Sequence, residues 1–364
     1  MTKLRELHNS HSQSPWIDNL QRSHLRDGTL NRFIDDGIRG LTSNPTIFQK
    51  AIQTGAEYDE QFSLVIKAGS STEDAYWSLV VQDIQDACDV FANLHSSSGG
   101  NDGFVSVEVD PRLAQQTSAT IAQGINLAAR IGRTNVMIKV PATVEGLGAV
   151  TELTAAGVSV NVTLIFSVER YAEVLDAYLT GLEKRIERSD PLEGINSVAS
   201  FFISRVDALV DPQLELLPAG DSLSGRTAIN QAKAAYAHFL NVCESDRWKT
   251  LAASGARVQR PLWASTSTKN PSYPDTLYVD ELIGPNTVNT LPENTMTAFL
   301  DHGSPCRTID VDMPRAISEL EALENSGISL ANVAHQLEEE GVRSFEKSFE
   351  DLLETLNTKR ASIT

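Results

Sequence analysis

The sequence predicts a (β/α)8 barrel with additional helices at both ends. Three observations predict it. About eight short apolar runs alternate with amphipathic helical stretches across most of the chain. The interiors of these runs are largely apolar, as in a parallel sheet covered by helices on both faces. No Gly-x-Gly-x-x-Gly follows the first run, so the rival doubly wound open sheet lacks its usual signature.

Taken in order, Ser14-Pro15-Trp16-Ile17-Asp18-Asn19-Leu20 reads as a first strand ending in an acid. A helix follows with Leu30, Phe33, Ile34 and Ile38 at helical spacing and with Gly37 and Gly40 at its end. Ile38 to Pro45 is a second strand running into a turn, and Pro45 suits the first turn of a helix with Ile47, Phe48 and Ile52 on its face. A longer helix begins near Ser71, with Asp74 completing an approximate capping box and Tyr76, Leu79, Val80, Ile84, Cys88 and Phe91 on its apolar face. Ser96 to Gly103 reads as a mobile loop by composition. The alternation then repeats. Strands are expected at Phe104–Val109, Val136–Val140, Val158–Phe166, Val198–Val206, Arg260–Thr266 and Val288–Leu291. Helices between them carry Leu113, Ile121, Ile125 and Ala128; Leu147, Val150 and Leu153; Tyr171, Val174, Leu175, Tyr178 and Leu182; and then the span from Ala228 to Leu240. Residues 1–313 are expected to form the barrel with its N-terminal helical segment. Residues 314–364 read as a helical extension packed on it, with Val342, Phe345, Phe349 and Leu352 as its buried stripe.

Composition narrows the function. With a net charge of -18 the chain is a poor partner for nucleic acid or an anionic membrane. Cys88, Cys243 and Cys306 are far apart and form no Cys-x-x-Cys pair, which fits a reducing cytoplasm and no structural zinc. The opening residues lack a signal-peptide core, and no run approaches the ~18 apolar residues of a membrane span. A cytoplasmic protein is expected.

One lysine stands inside an apolar strand: Lys139, in Asn135-Val136-Met137-Ile138-Lys139-Val140-Pro141-Ala142. Burial there favours the neutral amine, the form that attacks a carbonyl and makes a Schiff base. A strand-end lysine that reaches water or pairs with a carboxylate fits the same pattern. In barrels of this type functional groups project from the C-terminal ends of the strands. The polar residues at those ends are Asp18, Thr42, Asn44, Glu108, Lys139, Asn161, Thr163, Ser200, Arg205 and the run from Ser265 to Lys269. Two carboxylates near one amine suit imine chemistry, which must protonate a departing hydroxyl. Ion-pair partners of Lys139 or capping acids are the alternative reading of Asp18 and Glu108.

Over nearly its whole length the chain resembles the transaldolase family. The resemblance is carried by Trp16-Ile17-Asp18, Leu41-Thr42-Ser43-Asn44-Pro45, Val105-Ser106-Val107-Glu108-Val109-Asp110, Ile138-Lys139-Val140-Pro141-Ala142-Thr143, Asn161-Val162-Thr163-Leu164-Ile165-Phe166-Ser167 and Ser200-Phe201-Phe202-Ile203-Ser204-Arg205, in the family's order. It implies an α/β barrel, the Schiff-base lysine on the fourth strand and a cofactor-free, metal-free transfer of a dihydroxyacetone unit between sugar phosphates. By the same resemblance Lys139 attacks the ketose C2 carbonyl, and Glu108 shuttles protons with a water held by Thr163. Asp18 takes the C4 hydroxyl proton. Asn44, Asn161 and Ser200 hold the three-carbon enamine, with Thr42 and Phe202 lining the pocket. Arg205 on the sixth strand and Ser267 and Lys269 after the seventh are the expected phosphate contacts. Family members commonly have an arginine on the seventh strand, and Lys269 departs from that; an exposed loop lysine is its other reading. A monomer or homodimer is expected.

Two other functions fit part of this pattern. One is a class I aldolase that releases the three-carbon ketone. The related fructose 6-phosphate aldolases are shorter and place a tyrosine where this chain has Phe202. The other is a non-catalytic barrel in which Lys139 only anchors a sugar phosphate.

Overall fold

The computed structural model describes residues 1–54, 56–217 and 223–363. Eight strands close into a barrel in sequence order: β1 Gln13–Asp18, β2 Gly40–Thr42, β3 Phe104–Glu108, β4 Val136–Pro141, β5 Val160–Ile165, β6 Ser197–Phe202, β7 Gln259–Ala264 and β8 Thr287–Leu291. Every neighbouring pair is parallel, β8 returning to β1. The expected barrel is therefore present. Because helices cover its outside, all residues of β3, β4, β5, β6 and β8 are buried, and polar residues in those strands face the barrel interior or its polar seams.

Short polar residues at the strand exits turn the chain into its helices. Ser71 caps Thr72–Ser97 by accepting from the Asp74 N–H and donating to the Asp74 carboxylate, the reciprocal pair the sequence pointed to. Thr143 and Ser167 cap Val144–Ala155 and Val168–Glu187 through the N–H groups of Gly146 and Arg170. At Gly40 a side chain has no room: a Cβ would lie 2.4 Å from the Trp16 ring, which is wholly buried.

Three local expectations are corrected. The sixth strand ends at Phe202, and the helix Ser204–Leu214 begins where the strand was expected to continue, so Arg205 lies in that helix's first turn. Backbone pairing runs two residues past the strand, since the Ile203 and Ser204 N–H groups still donate to Ala264 and Ser265, and the helix's buried Ser204 and Val206 prolong the buried pattern. Ile125 is 43% exposed and does not join the buried face of Thr117–Ile131. The turn after Ser97 is anchored: buried Asp102 accepts from Ser14 at 2.7 Å and Arg39 at 2.6 Å, and pairs with Arg260 at 3.4 Å. This network sits at the N-terminal ends of the strands, the end of a barrel that serves stability.

After β8 come helices Glu293–His302, Met313–Asn325 and Leu330–Ile363. The last contacts β5, Pro45–Thr54, Thr72–Ser97 and Ser204–Leu214. Its buried Phe345, Phe349, Leu352 and Leu356 each contribute on the order of 1.5–3 kcal/mol to that docking.

Candidate active site

Strand register assembles the centre of the site. Glu108 on β3, Lys139 on β4 and Asn161 on β5 are consecutive register partners, so their side chains share one row. The Lys139 amine donates to the Ser43 carbonyl at 2.9 Å and lies 3.3 Å from Glu108 Oε2. Both side chains are almost fully buried, at 6% and 2% exposure. An ammonium in this position loses its water, and the carbonyl and carboxylate replace part of what it loses. Burial pushes the Glu108 carboxyl above the ordinary range, against the pull of Lys139. Its second oxygen, Oε1, and the Thr163 hydroxyl are buried without a protein hydrogen-bond partner.

Above this row lies a cavity of about 140 Å³ at the C-terminal mouth of the barrel. It is lined by Asp18, Thr42, Asn44, Lys139, Thr163, Ser200, Phe202, Arg205, Ser267 and Lys269 of the sequence-based set. Asp18 accepts from Thr42 at 2.7 Å, and Thr42 is linked to Thr290 on β8 at 2.7 Å. Asp18 faces the cavity, but the surrounding walls desolvate it. Burial therefore raises its carboxyl above the usual carboxylate range, opposed first by the charge of Lys139 and then by the Thr42 hydrogen bond.

Two expected substrate contacts have structural partners. Asn161 is fully buried beneath the cavity; its amide donates to Ser106 at 3.1 Å and accepts from Ser200 at 2.7 Å. Asn161 thereby orients Ser200, which does line the cavity. The Asn44 carbonyl oxygen accepts from the Ile47 N–H at 3.0 Å at the start of helix Pro45–Thr54. The same side chain lines the cavity, and its amide nitrogen is a further donor there.

The cations gather on one side of the mouth. The Arg205 guanidinium lies over the Phe202 ring at 5.1 Å. Lys269 donates to Ser267 at 2.7 Å, and burial lowers its pKa, with the nearby Arg205 charge adding to the effect. Among the described residues neither cation has a carboxylate within salt-bridge distance of 4.0 Å. Phe202 packs against Phe166 with ring centroids 5.3 Å apart, giving the cavity an apolar wall.

Sequence reasoning did not identify Thr290, Pro292 and Phe345 as lining residues. Phe345 was legible as part of a helical stripe, but helical spacing does not say what the stripe covers. Among the described residues no group of His, Cys, Asp and Glu is arranged to hold a metal ion.

A closed parallel barrel with a buried amine–carboxylate pair beneath a polar, cation-edged cavity at the C-terminal strand ends places the chain among (β/α)8 barrel proteins with a site where such barrels carry theirs. The chain belongs to the transaldolase/fructose-6-phosphate aldolase family, whose profile matches residues 15–356. It is 50% identical over 346 residues to a transaldolase of Saccharopolyspora erythraea, covering 94% of each chain. It is 47% identical to transaldolase 1 of Streptomyces coelicolor over 93% of this chain and 90% of that one. A transaldolase of Trichodesmium erythraeum is 45% identical over 97% of this chain and 96% of its own.

Proposed function

We propose that the protein is a transaldolase that moves a dihydroxyacetone unit from a ketose phosphate, such as sedoheptulose 7-phosphate or fructose 6-phosphate, to an aldose phosphate. The observation that carries this reading is the Lys139–Glu108 pair at 3.3 Å under the cavity. Moving the ammonium proton to Glu108 turns a buried ion pair into a neutral pair and leaves an amine able to attack the C2 carbonyl. The carbinolamine then loses water as Glu108 returns a proton to the departing hydroxyl. Thr163 Oγ and Glu108 Oε1, both buried and without protein partners, support a role in holding the water that relays it.

The resulting iminium carbon is an electron sink. Asp18 takes the C4 hydroxyl proton, the C3–C4 bond breaks, and its electrons form the enamine while the aldose phosphate leaves. The iminium restores a positive charge facing Asp18 and so favours its ionised form as the base. Ser200, oriented by Asn161, and the Asn44 amide are suited to bind the hydroxyls of the three-carbon unit. Arg205, Ser267 and Lys269 supply a cationic end for the phosphate. The reverse steps deliver the unit to an acceptor aldehyde.

The apolar Phe166–Phe202 wall favours transfer over release, because it offers no hydroxyl to place a proton or water on the enamine. Residues 1–313 serve in this proposal as the catalytic barrel and 314–364 as an extension over it. A cytoplasmic setting fits the three unpaired cysteines, and the protein acts in this proposal as a monomer or homodimer. No helix among the described residues is long and apolar enough to cross a membrane.

The test supplies fructose 6-phosphate with erythrose 4-phosphate and follows sedoheptulose 7-phosphate. Rapid formation, abolished in Lys139→Ala, is expected. Equal formation of free dihydroxyacetone by the unmodified protein establishes a lyase instead.

A further inference from the structure

The fifth strand contains an irregularity beside Thr163. Val162 pairs with Ala199 and Ile165 with Phe201, so three steps along β5 match two along β6. The extra residue is a β-bulge, uncommon between parallel strands and typical of positions that re-aim a side chain. Leu164 within it has φ 62°, a left-handed conformation that costs a residue with a Cβ about 1–2 kcal/mol. Thr163 itself is held on one side, where its carbonyl accepts from the Ala142 N–H at 2.7 Å, just past the lysine strand. On the other side the chain passes directly into Leu164.

Leu164 is buried against the C-terminal helix, and its contact there is Gly341. A Cβ at Gly341 would lie 2.9 Å from Leu164 Cδ2 and 3.4 Å from Cδ1, so any larger residue requires the Leu164 side chain or the helix to shift. Glycine inside a helix of 34 residues costs about 1 kcal/mol relative to alanine. Two locally unfavourable choices, a left-handed leucine and a mid-helix glycine, thus meet at one contact next to a cavity-lining hydroxyl. The same helix places Phe345 in the cavity wall and Ser348 within 2.8 Å of Thr46, two residues after Asn44.

We propose that Leu164 and Gly341 are positioning residues. The C-terminal helix, seated through Gly341, holds the left-handed bulge that presents the Thr163 hydroxyl to the cavity, and so sets the rate of the water-dependent imine steps. The proposal rests on the role given to Thr163 above.

The test is a double-mutant cycle read as the rate of imine formation from fructose 6-phosphate, trapped with borohydride in a single turnover. Thr163→Ala and Gly341→Val are each expected to slow trapping by roughly ten- to a hundredfold, and Gly341→Val to alter the donor KM by less than about twofold. The double variant should be no slower than Thr163→Ala within about twofold, because the helix acts through that hydroxyl. Leu164→Ala, which empties the contact instead of overfilling it, should show the same dependence on Thr163 and covers the case in which Gly341→Val does not fold. If Thr163→Ala slows trapping while the helix variants have no effect, or multiply its effect in full, the positioning proposal is overturned alone. If Thr163→Ala leaves the rate unchanged, the role of Thr163 falls and the proposal falls with it.

Discussion

Glu108 Oε2 lies 3.3 Å from the Lys139 amine, and the two residues are register partners on adjacent strands. Strand pairing holds the two residues in place more firmly than a loop would, which suits the proton-donor and nucleophile roles proposed for them. Asp18 stands apart on β1, hydrogen-bonded to Thr42 and held above the usual carboxylate range by its enclosed surroundings. Two carboxylates in different settings can divide the proton transfers between them.

That division is testable. Asp18→Asn should leave imine formation nearly intact while cutting overall transfer by about 10²–10⁴-fold, the usual worth of a positioned base. Glu108→Gln should slow imine formation itself by a similar factor. The check is borohydride trapping beside steady-state turnover for each variant. Loss of trapping in Asp18→Asn with normal trapping in Glu108→Gln reverses the roles.

Arg205 and Lys269 are cavity-lining cations of a chain with net charge -18, and among the described residues they lack carboxylate partners within 4.0 Å. Arg205→Ala or Lys269→Ala should raise the KM for phosphorylated sugars about tenfold or more. Kinetics with dihydroxyacetone or other uncharged sugars should change little. Parallel losses for charged and uncharged substrates point to a role in folding instead.

In the proposed mechanism the apolar wall at Phe202 governs the balance between transfer and release. Phe202→Tyr puts a hydroxyl where Phe202 now faces the cavity, and should increase dihydroxyacetone release from fructose 6-phosphate several-fold relative to transfer. Product ratios with and without erythrose 4-phosphate check this. An unchanged ratio means that the wall does not govern release.

Away from the cavity floor, Asp207 is buried and accepts from the Ala228 N–H and the Tyr278 hydroxyl, each at 2.8 Å. Burial raises its pKa to about 7. The folded state therefore holds the proton more tightly than the unfolded chain. Its stabilising effect is complete below the unfolded value near 3.9 and is lost as pH rises through about 7. In Asp207→Asn the side-chain oxygen still accepts from the Ala228 N–H, and the amide nitrogen donates to the Tyr278 hydroxyl in place of accepting from it, with no charge to bury. The variant should be more stable than the parent protein at pH 8, by on the order of a few kcal/mol, and so melt higher, with the difference shrinking toward pH 5. Melting temperature against pH decides it; a difference that grows toward acid pH contradicts the burial argument.

The barrel and its lysine strand were legible because parallel strands buried on both faces are apolar, so a lysine within one stands out. Arg205 was placed on a strand because the apolar pattern of Phe201-Phe202-Ile203 continues into a helix whose first turn is also buried. Asp102 was assigned to a mobile loop because Ser-Gly-Gly-Asn-Asp-Gly is turn chemistry locally. Its anchors, Arg39 and Arg260, are brought to it only by barrel closure. The hydrogen bonds of Asn161 to Ser106 and Ser200 join β3, β5 and β6, a pairing that only barrel closure reveals. Phe345 belongs to a visible helical stripe, and only tertiary packing shows that part of that stripe faces the cavity.

The central claim is that Lys139 forms the Schiff base. Treating the protein with fructose 6-phosphate and borohydride, then mapping the reduced adduct by peptide mass, tests it most directly. The account predicts a three-carbon addition on the peptide containing Lys139 and no adduct in Lys139→Ala. An adduct on another lysine, or none while the enzyme turns over, contradicts it.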